Sequence, residues 1–139
     1  MSEFFSTAGR KLTTLLGTFF VFALLAACSS QSPESVAGDY MKAAANNRVE
    51  EAIGYFALGD IKENDLTAVK GKLQMIVGQQ YSVIQDNGGL DSVSTNLVEK
   101  NEDGTSATVM VETKFKNGQS KKDRMTLIQE SGKWKIRLK

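Results

Sequence analysis

At Gly89 the spacing of apolar residues changes from three-or-four to two, and this change constrains the fold more than any other feature of the chain. Beyond it, Val93, Thr95 and Leu97 alternate with polar residues, as do Ala107, Val109, Val111, Thr113 and Phe115. Met125 and Leu127 follow on a third run. Trp134, Ile136 and Leu138 form a fourth, interleaved with Lys133, Lys135, Arg137 and Lys139. The breaks between the runs are Asp103-Gly104, Asn117-Gly118 and Ser131-Gly132. Period-two runs are half-buried strands, and Gly-containing breaks of this kind are hairpin turns. Three consecutive hairpins give a four-stranded antiparallel meander.

The part before Gly89 keeps the helical period. Ser32-Pro33-Glu34 supplies a capping hydroxyl, Pro at the first helical position and an acid in the first turn. Val36, Tyr40, Met41 and Ala44 then share one face of a helix that ends near Asn46-Asn47. Asn47 and Glu50 have the spacing of a capping box for a second, short helix carrying Val49, Ala52, Ile53 and Phe56. A longer helix is predicted over about 64–85, with Leu66, Val69, Leu73, Ile76, Val77, Tyr81 and Ile84 on its apolar stripe. Gly71 and Gly78 weaken it by roughly 1 kcal/mol each if interior. Helices followed by strands make the chain α+β, with the helices packed on a four-stranded meander.

The N-terminal segment reads as an address. Arg10 and Lys11 precede an uncharged run from Leu12 to Ala27. Sixteen helical residues span roughly 24 Å, less than the roughly 30 Å hydrocarbon core, so the run fits a signal peptide better than a permanent span. Leu25-Ala26-Ala27-Cys28 followed by Ser29-Ser30-Gln31-Ser32 resembles the bacterial lipoprotein signal. The resemblance implies cleavage before Cys28 and lipid on its sulfur, with more than one acyl chain for stable anchoring. Ser29, rather than Asp, implies sorting to the outer membrane, and the expected location is a lipid-anchored one there, facing the periplasm. The expected organisation is a signal peptide over 1–27, lipidated Cys28 with a short tether over 28–32, and a domain over 33–139. Five extended residues reach about 17 Å, which holds the domain close to the membrane.

Composition narrows the chemistry. The 139 residues contain no His and one Cys, at a formal net charge of +1. That removes the commonest general base and metal ligand, and every nucleophile pair that needs His. It also leaves no disulfide framework or thiolate cluster within the chain. A nearly neutral balance argues against nucleic acid as a partner. Charge is unevenly placed, however: residues 28–103 hold twelve acids and six bases, and residues 104–139 hold three acids and nine bases.

Two short helices, a longer one and a meander closing on Gly132-Lys133-Trp134-Lys135-Ile136 resemble the nuclear-transport-factor-2-like (NTF2-like, or cystatin-like) cone. Ser32-Pro33-Glu34-Ser35-Val36 after a lipid tether resembles the small bacterial lipoproteins of that superfamily whose function is uncharacterised. The resemblance implies a curved sheet wrapping the long helix, a pocket between them, and a homodimer through the sheet. Enzymes on this cone line the pocket with Asp, Tyr or His. Here the polar-aromatic candidates are Asp39, Tyr40, Tyr55, Tyr81 and Trp134, and no catalytic motif accompanies them.

Other candidates compete with plainer roles. Met41, Met75, Met110 and Met125 line an adaptable apolar pocket or fill the core. Asp60, Glu63 and Asp65 cluster in one loop, without the spacing of an EF-hand. Lys121, Lys122 and Arg124, with Lys114 and Lys116 across the Asn117-Gly118 turn, form the densest basic cluster. They serve either as a docking surface for an acidic protein or anionic headgroups, or as protection against edge-to-edge pairing. The sequence reading is a lipid-anchored envelope binding or protein-interaction module that is not an enzyme. It needs no metal and no cofactor beyond the lipid. The alternatives are a carrier of a small apolar ligand in the cone and, third, a His-free pocket enzyme.

Overall fold

The computed structural model describes residues 31–139. The expected signal peptide, its box at Leu25, Ala26 and Ala27, and the lipidation site Cys28 lie outside the described residues.

Ser32 caps the first helix, α1 (Pro33–Ala45), its hydroxyl accepting from the Ser35 N–H at 3.1 Å. The helix ends in a Schellman motif: Asn47 takes φ +55°, and the Arg48 N–H donates to the Ala43 carbonyl at 2.9 Å. Asn47 is therefore a C-terminal stop for α1. The N-cap of α2 (Val49–Ile53) is Arg48, with no side-chain cap bond. The capping box expected of Asn47 and Glu50 does not form, because a link this short needs its left-handed residue where the cap would stand.

The long helix α3 (Glu63–Asp86) runs within a residue of its expected limits. It too closes in a Schellman motif, with the Gly89 N–H donating to the Ile84 carbonyl at 2.9 Å. Gly88, at φ +87°, occupies the left-handed position that a side chain would strain.

Strands β1 (Leu90–Lys100), β2 (Ser106–Phe115), β3 (Ser120–Glu130) and β4 (Lys133–Ile136) form one antiparallel sheet in sequence order. Ala107, Val109, Val111, Thr113 and Phe115 of β2 are all buried, so one face of the sheet is the core face. They join Leu127, Trp134 and Ile136 from the sheet and Val36, Ala37, Tyr40, Met41, Ala43 and Ala44 from α1.

The helix lying on the sheet is α1, which contacts β1, β2 and β4, whereas α3 packs against α1 and α2. The expectation that the sheet wraps the long helix gives way here. Four buried alanines let the α1 backbone approach the strands, while α3 buries only Leu73, Val77 and Ile84. No helix of the described residues is long and apolar enough to cross a membrane.

The two edges of the sheet differ. Beside β4, the segment Tyr55–Ala57 adds a parallel bridge, with the Ile136 N–H donating to the Tyr55 carbonyl at 2.7 Å and the Ala57 N–H to the Ile136 carbonyl at 2.9 Å. Lys135 Nζ donates to the Gly54 carbonyl at 2.6 Å across the same seam. The β1 edge has no such cover among the described residues.

Candidate functional site

The register of β2 with β3 sorts the basic cluster. Lys114 pairs with Ser120, Glu112 with Lys122, and Met110 with Arg124. These residues alternate with the buried ones, so they stand on the outer face, away from α1. Met110 is half-buried there opposite Arg124, Glu112 stands among the exposed side chains of Lys114, Lys122 and Arg124, and the half-buried Ile128, opposite Ser106, lies two outward-facing positions beyond Arg124. None of these three cations has an ion-pair partner among the described residues.

Lys121 pairs with the buried Thr113 and stands on the other side of the sheet. Its ammonium lies 3.4 Å from the Asp123 carboxylate on that same core-side face. Lys116 is in the β2–β3 turn, where its N–H donates to the Gly89 carbonyl at 3.0 Å. The basic set thus divides into an outer trio, one inner cation and one turn cation. The turn is anchored to the end of α3, where Asn117 Nδ2 donates to Asn87 Oδ1 at 2.9 Å.

The aromatic candidates have different fates. Tyr40 is buried in the core, with its ring edge-on to Phe56 at 5.2 Å and 87°. Burial, aided by the Asp123 carboxylate, pushes its hydroxyl above the usual tyrosine range. Trp134 is also buried in the core, with Lys100 Nζ 5.5 Å from its ring centroid. Tyr55 sits half-buried at the β4 edge, its hydroxyl donating to Glu51 Oε1 at 3.5 Å. Burial first, then the Asp39 and Glu51 carboxylates, raise its pKa. Tyr81 is half-buried on α3. Two of the four are core residues and two lie towards its margin.

The methionines do not gather either. Met41 is core, Met125 is half-buried on the inner face, Met110 is on the outer face, and Met75 is exposed on α3. At the start of α3, Asp60 and Asp65 line an open hollow of about 470 Å³ with Ile61, Lys62, Ala68, Val69 and Lys72. Two lysines in that lining offset its acids, and no group of three or more His, Cys, Asp or Glu among the described residues is arranged to hold a metal ion.

The model of a family described as a domain of unknown function, DUF4878, matches residues 26–137. The chain belongs to the DUF4878 family. No curated protein matches it. Among solved structures, it is similar to an NTF2-like protein of Campylobacter jejuni that carries a provisional transpeptidase name. The two share 23% identity and a TM-score of 0.70, over 78% of this chain and all of that one. That likeness shows the fold: helices followed by a four-stranded antiparallel sheet in the NTF2-like arrangement. Aln2 of a Streptomyces species matches at 17% identity over 78% of this chain and 90% of its own, but a TM-score of 0.37 carries no argument.

On this DUF4878 domain, sequence reasoning missed that Met110 and Ile128 face outward. Met110 and Ile128 do not stand out in the sequence, because each neighbours core positions in a β run. Counting by twos from Leu127 and Val109 finds them, and also assigns Lys121 and Asp123 to the core side.

Proposed function

We propose that this chain is a lipid-anchored module of the bacterial cell envelope that binds an acidic partner protein through the outer face of its sheet, and that it is not an enzyme. The observation carrying this reading is the outer trio. Lys114, Lys122 and Arg124 are exposed and free of ion pairs among the described residues, and Arg124 stands directly opposite the half-buried Met110. Arg and Met are enriched in protein-binding surfaces, and unpaired cations on such a surface suit an acidic partner.

Anchoring is supported by the Leu25-Ala26-Ala27-Cys28 box, whose last three residues fall within the span matched by the family model. Ser29 supports placement at the outer membrane. The non-enzymatic reading is supported by the absence of His from the sequence and by Tyr40 and Trp134 serving as core rather than lining a cleft.

The test is crosslinked capture of the full-length protein from its native envelope, wild type against K114E/K122E/R124E. The wild type brings down one dominant protein and the triple variant loses it. Retention by the triple variant overturns the surface assignment. Binding to vesicles of anionic lipid, with no protein captured, replaces the protein partner with headgroups. In parallel, Cys28→Ala abolishes incorporation of radiolabelled palmitate; a Cys28→Ala protein that still takes up the label contradicts the lipid anchor on Cys28.

A further inference from the structure

Strand β1 is the exposed edge of the sheet, and between Ser92 and Val98 it carries no charge, proline or covering segment among the described residues. Apart from its ladder with β2, no backbone group of Asp91–Lys100 bonds to another element of the described residues. The seven residues Ser92-Val93-Ser94-Thr95-Asn96-Leu97-Val98 contain no charge, no Pro and no Gly. Natural sheets blunt open edges with lysines, prolines or covering segments, because unpaired N–H and C=O groups template further pairing. The opposite edge follows that rule, with Tyr55–Ala57 laid against β4. The stretch in β1 instead has the composition of a pairing strand: β-branched, neutral and regular between irregularities at Leu90/Ser92 and Leu97/Glu99. Leu97 and Val98, at 45% and 48% exposure, are among the most exposed large apolar residues described.

The geometry points to a second copy of this chain as the occupant, paired antiparallel through β1 about a two-fold axis at Thr95. Residues directly opposite in an antiparallel ladder share a face. With Thr95 opposite its own copy, Val93 meets the partner's Leu97 on the core side, continuing the row that pairs with Thr113, Val111 and Val109 within the chain. On the outer side, Ser94 meets the partner's Asn96. Every contact of this five-pair ladder is apolar on apolar, Thr on Thr, or polar on polar, and no charge lies within it. Such self-complementarity is what an isologous interface requires. It yields an eight-stranded sheet whose outer faces lie on one side. The surface is separate from the basic trio and does not rest on it.

The test uses the full-length protein in its own envelope with Asn96→Cys and a short bis-maleimide. Asn96 is exposed and its side chain faces outward, so the substitution leaves the core alone. The expected result is a crosslinked dimer from Asn96→Cys, none from the wild type or from Gln129→Cys on β3, and at least a tenfold loss when Leu97→Lys is added. Leu97→Lys must retain the wild-type circular dichroism spectrum; Val98→Lys serves as a second disrupting variant if it does not. No dimer from Asn96→Cys, a dimer indifferent to both lysine variants, or crosslinks only to a different protein would overturn the proposal.

Discussion

Tyr40 shows how a single residue changes meaning between sequence and structure. Its position on the apolar stripe of α1 is legible, but a tyrosine there can fill a core or line a cleft. The T-shaped contact with Phe56 decides for the core, and Phe56 comes from the segment after α2, whose placement no local pattern encodes. Tyr40→Ala should therefore cost about 3–5 kcal/mol, the range for losing a buried aromatic, while Tyr40→Phe keeps the ring contact and costs far less. The hydroxyl adds a pH signature. Because burial raises its pKa above 10.0, the folded state holds the proton longer than the unfolded state. That contribution is whole below the unfolded value and is lost as pH rises through the folded one. Urea unfolding across pH 9–12 should show a wild-type alkaline loss that is reduced in Tyr40→Phe; identical profiles would contradict a buried Tyr40.

Among the elements, the strands are the most readable part of the chain, because period-two patterning and Gly-containing turns are local signals. The Ser131-Gly132 turn has φ of +51° and +77° at its two central residues, the type I′ signature. Ser is a poor occupant of the first position and Asn a good one. Ser131→Asn is expected to stabilise the protein by about 0.5 kcal/mol, read as a rise of a few degrees in Tm. The helix junction misleads for a related reason. Asn47 favours both caps and left-handed turns, and the requirement to reverse the chain after α1 selects the turn. The packing order of the helices is not legible either. The stripe of α3 is longer and carries larger aliphatic side chains than that of α1, yet α1 lies on the sheet because Ala37, Ala43 and Ala44 permit close approach. Small residues contribute little to an apolar pattern, but they decide which helix fits.

For the whole molecule, the fold is predictable and the working surface only in part. The excess of bases after residue 103 points to the sheet, yet strand alternation sends neighbouring cations to opposite faces. Lys121 is drawn to Asp123 on the core side, while Lys122 and Arg124 join Lys114 outside. Cross-strand register, which brings Met110 beside Arg124, is the missing piece, and it yields a compact patch from residues far apart in sequence. The same alternation provides the most direct test of the outer face as the binding surface. A photo-crosslinking amino acid is placed at Arg124 or at Lys121, three positions apart on one strand, and the lipidated protein is irradiated in its native envelope. The account predicts adducts with one partner protein from position 124 and none from position 121. Adducts from 121 alone would contradict it and move the binding site to the core side of the sheet.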